Sequence, residues 1–172
     1  LSRLALRKPL VLLAVALAAG GVAEHALAVG LRVAILGRAP VSNTYESLLW
    51  MGLVGVAIGS VAQALNRRGW YLFAGLCAAL ISVIFAGMVP LSDQTNSLPA
   101  VLRSNFWLTI HVLTIVASYG VLAVASVLGH VYLAKDVLFR RRGAMPPPDA
   151  RRSDALIVQN YRTIQVGLIL LT

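Results

Sequence analysis

The sequence predicts an all-α protein that crosses a membrane several times. Hydrophobic residues make up 59% of the 172-residue chain and charged residues only 12%, a balance typical of polytopic membrane proteins. The apolar residues form long runs, and a helix of roughly 20 such residues crosses the ~30 Å hydrocarbon core of a bilayer. The basic residues behind the net charge of +9 lie in short clusters between these runs. That distribution favours a lipid bilayer, and not nucleic acid, as the partner of the positive charge.

Five apolar segments define the predicted helices, at about 9–36, 44–65, 70–89, 105–138 and 154–172. Four complete transmembrane helices thus precede the start of a fifth, and residues 1–172 form a single membrane domain. Pro9 suits the first turn of the first helix, where its missing N–H is not needed. Because the chain begins without methionine and ends inside an apolar run, we expect it to be a fragment of a longer protein.

The distribution of basic residues predicts the orientation of these helices. Lysine and arginine concentrate on the cytoplasmic side of membrane proteins. With the N-terminus inside, the inner segments carry twelve of the 15 basic residues, and the outer segments carry only Arg32, Arg38 and Arg103. Trp107 and Trp70 mark the outer interface of the fourth helix and the inner interface of the third, as aromatic belts do. The N-terminus is therefore predicted to be cytoplasmic.

His111 is the principal candidate for a functional residue. It lies in the longest uncharged run of the chain, Ser104–Ala134, ~9 Å below the outer start of the fourth helix. An ionisable side chain in a membrane helix is expensive unless a neighbour or a ligand satisfies it, and imidazole is a common axial ligand of haem iron. The sequence therefore predicts a haem ligand near the outer face. The alternative is a packed histidine that is bonded to a neighbouring helix.

The other two histidines have less specific contexts. His25 reaches nearly the depth of His111 and is either part of a polar cluster that anchors the outer end of the first helix, or a ligand or a residue that supports one. His130 lies ~28 Å deeper than His111, at the inner end of the same helix, and is interpreted as structural. Cys77, the single cysteine, excludes an internal disulfide and is predicted to be a buried thiol.

Several outer residues could contact a haem. The three outer arginines, Arg32, Arg38 and Arg103, could pair with haem propionates, because a guanidinium fork fits a carboxylate, or could simply anchor the interface. Tyr45 and Trp107 are further candidates at the same level.

The second helix carries two local signals. Asn43 followed by Glu46 predicts a capping box, in which each side chain meets a free backbone N–H. One row of the helix contains Ser47, Met51, Gly55, Gly59 and Gln63. The two glycines, four residues apart, would let another helix approach closely, so the row is interpreted as a packing face.

Three segments resemble CcsA-type cytochrome c biogenesis proteins. Residues 40–50, PVSNTYESLLW, are similar to the P-V-S-N-x-Y-E-S-L segment of that family. Residues 98–112, LPAVLRSNFWLTIHV, together with Ser118 and Tyr119, resemble its L-P-A-L-x-S…W-L…H-V…S-Y segment. Residues 161–172, YRTIQVGLILLT, resemble the approach to the next helix of these proteins. The resemblance spans nearly the whole chain.

The resemblance implies a subunit of a System II type cytochrome c synthase in the bacterial cytoplasmic (inner) membrane. Such proteins work with a CcsB (ResB)-type membrane subunit, export haem, and promote its attachment to a CxxCH apocytochrome c outside the membrane. His111 would be the first of two external histidines that hold the iron. The second histidine and the tryptophan-rich loop that ends in W-D-P-K-E should lie beyond Thr172, so this piece is not expected to be active alone.

Two other functions are compatible with the residues. A small-molecule transporter would need intramembrane acids, for which Glu24 is the one candidate, and internal repeats, which the sequence lacks. A membrane b-type cytochrome would need paired histidines on facing helices, for which His25 and His111 are the candidates.

Overall fold

The computed structural model describes residues 2–66, 70–90, 106–141, 143 and 155–172, with the side chains of residues 2–7, 107 and 108 left aside. These residues form five α-helices: α1 (Ser2–Leu36), α2 (Thr44–Asn66), α3 (Trp70–Gly87), α4 (Phe106–Arg141) and α5 (Ala155–Leu171). In the described part of the chain, four helices contain segments long and apolar enough to cross a membrane: Lys8–Leu36, Thr44–Asn66, Trp70–Gly87 and Thr109–Arg141. The predicted all-α polytopic bundle is confirmed.

Two helix boundaries differ from the prediction. The first helix begins at Ser2, so Pro9 lies inside the helix and not in its first turn. Residues 4–8 are leucine, alanine, arginine and lysine, all strong helix formers, and membrane helices tolerate an internal proline. The fourth helix continues three residues past the predicted end. There Arg140 Nε donates to Asp136 Oδ2 at 2.7 Å, one turn earlier, which supports the last turn.

The predicted packing face of α2 meets α3 through glycines. A Cβ atom on Gly59 would lie 2.7 Å from Tyr71 O, and one on Gly75 would lie 2.9 Å from Gly55 O. No side chain other than hydrogen fits between the two backbones at these points. The interpretation of the row as a packing face is thus confirmed.

The fourth helix lies at the centre of the bundle and packs against α2, α3 and α5. Gly120 meets α2 so closely that a Cβ atom there would lie 2.5 Å from Met51 O. On the opposite side, Leu122 lies against Gly167 and Gly129 lies against Asn160, so α5 runs antiparallel to α4.

The first helix lies at the periphery. The most apolar stretch of α1 contains no buried residue, whereas 28–39% of the residues in the corresponding stretches of α2, α3 and α4 are buried. It contacts α2 through its C-terminal half, where Val29 packs with Leu49 and Ala86.

Candidate functional site at the outer end of the bundle

The site is built around the connection between α1 and α2, at the end of the bundle that the charge distribution predicts to face outwards (the outer end). Gly37 ends α1 in the left-handed conformation, with φ of +62°, and Gly37 N–H donates to Val33 O at 2.9 Å. Glycine adopts this conformation without the steric penalty of a Cβ atom, and it reverses the chain towards α2.

The start of α2 has reciprocal caps. Asn43 Oδ1 accepts the N–H of Glu46 at 2.8 Å, and Glu46 Oε2 accepts the N–H of Ser42 at 3.0 Å. The predicted capping box is present, but the carboxylate meets the residue before the N-cap. Backbone donors that the helix leaves unpaired are thereby satisfied.

The same carboxylate holds two arginines, which the sequence did not predict. Glu46 Oε1 accepts from Arg32 Nε at 3.1 Å and from Arg38 Nη2 at 2.9 Å. The Glu46 side chain is fully buried, and Arg38 is nearly so, with 9% of its side chain exposed. The Arg32 guanidinium also lies over the Tyr45 ring, 4.8 Å from its centroid. The sequence feature that could have indicated this cluster is an acidic residue in the first turn of a predicted helix, close in sequence to two outer arginines.

His25 links α1 to α2 through its imidazole. His25 Nε2 lies 3.0 Å from Leu49 O, and because a carbonyl only accepts, Nε2 must carry the proton. A protonated nitrogen has no lone pair to offer iron. The contact therefore supports the polar-anchor interpretation of His25, and it leaves the paired-histidine cytochrome without its second Nε2 ligand.

A cleft of about 400 Å³ separates the first turns of α2 from the outer half of α4. Its walls are mostly apolar, with a few polar groups at the α2 side; they comprise Val41, Asn43, Thr44, Ser47, Leu48, Met51, Val112, Val116 and Tyr119. Trp50 Nε1 donates to Leu113 O at 3.2 Å and ties the two helices together beside the cleft. An apolar cleft with a few polar groups is the usual form of a small-molecule site.

His111 lies on the outer part of α4, one residue before Val112 of the cleft wall; it does not itself line the cleft, and it is exposed. No hydrogen bond joins its ring to any residue that the structure describes. Helical spacing puts it on one stripe with Ser118, which is buried, and Leu122, which contacts Gly167 of α5. By the α4–α5 register, Leu171 lies about level with Ser118. His111 thus faces the side of α4 on which α5 packs, beyond the level of Leu171.

The remaining residues that the sequence analysis singled out lie away from this site or outside the described residues. Arg103 and the side chain of Trp107 lie outside the described residues. At the inner end, His130 Nδ1 donates to Ser126 O at 2.7 Å within its own helix. Glu24, the acid that a transporter would need, is exposed on α1, and Cys77 is only partly buried.

Within the described ranges, no three histidine, cysteine, aspartate or glutamate side chains converge as a metal-binding group. The structure places Arg32 and Arg38 with Glu46 where α1 meets α2, and His111 on the other side of the cleft's walls, towards α5; none of the three lines the cleft.

The fold and the outer site together define an integral membrane protein with a cationic, histidine-bearing rim. Comparison with known proteins supplies the family. Residues 41–172 match the family described as Cytochrome C assembly protein, and the chain belongs to this family. The resemblance found in the sequence is confirmed, and the protein is one of cytochrome c biogenesis.

Three relatives illustrate the match. The protein NrfI of Wolinella succinogenes is 34% identical over 152 residues, which cover 87% of this chain and 16% of that protein. The cytochrome c biogenesis proteins CcsA of Picosynechococcus sp. and Prochlorococcus marinus are 33% and 28% identical, over 56% and 82% of this chain and 29% and 52% of their own lengths. The chain therefore spans at most about half the length of these relatives. No solved structure matches it.

Proposed function

We propose that this chain holds haem at the outer face of the bacterial cytoplasmic membrane and presents it for attachment to a CxxCH apocytochrome c. A CcsB (ResB)-type membrane subunit is the proposed partner. The observation that supports the proposal is the exposed imidazole of His111 on the outer part of α4, in a member of the cytochrome c assembly family.

Thioether formation requires little of the protein beyond binding and orienting the haem. In thioether formation, a cysteine S–H of the apocytochrome adds across a haem vinyl group, so no leaving group departs and no protein nucleophile is needed. The protein must hold the iron and leave the vinyl edge accessible. The imidazole of His111 would meet both requirements, since an imidazole that binds the iron axially leaves the porphyrin edges open.

The position of His111 also supports the proposed second ligand. Because the imidazole lies on the α5 side of α4, beyond the level of Leu171, we place the second histidine in the segment that follows Thr172. That segment would reach the level of His111 as it continues along the direction of α5.

The test is replacement of His111 by glycine in the full-length protein, expressed with its partner and an apocytochrome c. Haem absorbance of the purified complex and the yield of holocytochrome c are expected to fall at least about tenfold, because an axial ligand is lost. Imidazole added to the medium is expected to restore part of both, since it can occupy the vacated position.

The matched control is His130→Gly, on the same helix at the inner end. It is expected to leave haem content and cytochrome yield unchanged. Unchanged values for His111→Gly, or an equal loss for both variants, would contradict the assignment of His111.

A further inference from the structure

A groove of about 390 Å³ opens at the inner end of the bundle, at the opposite end of α4 from His111. Trp70 and Phe73 of α3 line it together with the inner end of α4, and Leu156 of α5, which is buried, completes the lining. Among the residues that the structure describes, Lys135 is the one charged residue of the lining. The groove is therefore apolar with a positive charge in its wall.

The character of the groove changes along the direction of the bilayer normal. Val131 packs against the buried core of the bundle, and Lys135 lies one turn nearer to the inner end of α4. At 1.5 Å per residue, Lys135 is ~39 Å along the helix from Thr109, where the apolar stretch of α4 begins. The hydrocarbon core is ~30 Å thick, and the bilayer with its head groups ~40–45 Å. The charge thus lies at the level of the inner head groups, and the apolar walls extend towards the hydrocarbon.

The ammonium group of Lys135 stays at the wall of the groove. Its Nζ lies 6.0 Å from the centroid of the Phe139 ring, which also belongs to the lining. Arg141 continues the same face of α4, since it follows residues 134 and 138 of the lining by seven and three positions. The carboxylate of Asp136 is bonded by Arg140, at 2.7 Å. The face of α4 that borders the groove is thus cationic.

The other basic residue at this end of α4 occupies a different face. Arg140 follows Val131 by nine positions, which is about half a turn round the helix, so it lies away from the groove. Its charge is matched by the carboxylate of Asp136. Arg140 therefore provides a control of equal charge at nearly equal depth.

We propose that this groove binds one anionic phospholipid of the inner leaflet. The phosphate lies at Lys135, and an acyl chain lies against Phe73 and Val131. Such a lipid matches the groove in both respects, because it carries a negative charge at the head-group level and apolar chains below it. Basic pockets between membrane helices on the cytoplasmic side recognise lipid head groups in this way. The inference is independent of haem binding and concerns the opposite end of the molecule.

The experiment measures which lipids the full-length protein retains. The protein is purified in detergent from vesicles of equal parts phosphatidylglycerol and phosphatidylcholine with identical acyl chains, and native mass spectrometry counts the bound lipids. The wild type is expected to retain one phosphatidylglycerol in preference to phosphatidylcholine. Lys135→Gln is expected to lower this preference roughly fivefold, the contribution of one lysine near an anionic head group. Lys135→Arg is expected to keep it.

Three further variants test the location. Arg140→Gln removes the same charge from the other face and is expected to keep the preference. Ala134→Phe fills the groove at an exposed position of its lining and is expected to lower the retention of both lipids. Ala57→Phe, at an exposed position of α2 outside the groove, is expected to leave retention unchanged.

Several results would overturn the inference. Equal retention of the two lipids by the wild type would remove the role of the positive charge. An equal loss of preference in Arg140→Gln and Lys135→Gln would assign it to the basic surface in general, and unchanged retention in Ala134→Phe would place the lipid elsewhere.

A photoreactive benzoylphenylalanine in place of Leu138 identifies the occupant in the intact membrane. An adduct with phosphatidylglycerol is expected. An adduct with a second protein or a second copy of this chain would show that the groove is a protein contact, and would equally overturn the inference.

Discussion

At the scale of single residues, the outer site shows how polar groups persist at the edge of a membrane. Glu46 is fully buried, yet three donors reach its two oxygens: Arg32, Arg38 and the backbone N–H of Ser42. The carboxylate closes the N-terminus of α2 and also connects α2 to the end of α1. One side chain therefore supports both the local cap and the tertiary contact.

Replacing Glu46 by glutamine is expected to destabilise the protein by roughly 3 kcal/mol, because two buried or half-buried guanidinium groups lose their common counter-ion. Glutamine has nearly the same shape as glutamate, so the loss of stability measures the contribution of the negative charge. Thermal unfolding of the purified protein in detergent measures it. Asn43→Ala provides the comparison and should cost only about 1 kcal/mol, since it removes a cap but no charge pair.

A Glu46→Gln variant as stable as the wild type would show that the ion pairs contribute nothing. A larger loss for Asn43→Ala than for Glu46→Gln would assign the stability of this region to the helix cap.

At the scale of helices, close backbone contact and not side-chain bulk holds the bundle together. Lipid tails are as apolar as leucine, so apolar burial provides little net drive for helices to associate within a bilayer. The contacts of Gly55 and Gly59 with Gly75, and of Gly120 with Met51, instead bring backbones together and increase dispersion contacts. These glycines position α4, and with it His111, relative to the start of α2.

Gly120→Ala is expected to destabilise the α2–α4 contact by about 1–3 kcal/mol, because the added Cβ would lie 2.5 Å from Met51 O, and a backbone carbonyl has little freedom to move. A lower midpoint of thermal unfolding, with lower haem retention, is the measurement. Gly30→Ala on α1 is the matched control. Nothing lies within 4 Å of a Cβ there, so this change should be neutral or slightly stabilising. Equal midpoints for the two variants would refute the close contact.

At the scale of the whole molecule, consecutive helices run in opposite directions wherever their contacts fix the direction. His25 and Arg32 of α1 meet Leu49 and Glu46 of α2 in antiparallel order, and α4 and α5 are antiparallel as well. An alternating bundle brings the α1–α2 connection and the outer end of α4 to the same face. The charge distribution predicts that this face is extracytoplasmic.

Fusion of alkaline phosphatase, which is active only outside the cytoplasm, tests that orientation. A fusion after Ala39 is expected to be active and one after Gly143 inactive, because twelve of the 15 basic residues lie on the side of Gly143. Fusions of a fluorescent protein that matures in the cytoplasm should show the opposite pattern. The reverse result would move His111 to the cytoplasmic side and remove its proposed role.

Much of the architecture could be predicted from the composition of the chain and from the length and helical spacing of its apolar segments. The starts of α2 and α3, the glycine packing row and the cap at Asn43 all follow from local rules that act within a turn or two. The internal position of Pro9 could not be predicted, since a membrane helix tolerates proline inside as well as at its start. The ion pairs of Glu46 were also missed, because nothing in the spacing of residues 32, 38 and 46 shows which side chains meet.

By itself, the sequence determined that the chain is a helical membrane protein, which end of each helix carries the positive charge, and that it resembles the cytochrome c assembly family. Only the tertiary structure decided that α4 is central and α1 peripheral, that Nε2 of His25 is engaged by Leu49, and that Glu46 pairs with both Arg32 and Arg38. The physical reason is that lipid solvates an apolar surface as well as protein does. Hydropathy therefore places a helix in the membrane but does not distinguish α1 from α4, which are about equally apolar, although α4 is far more buried than α1.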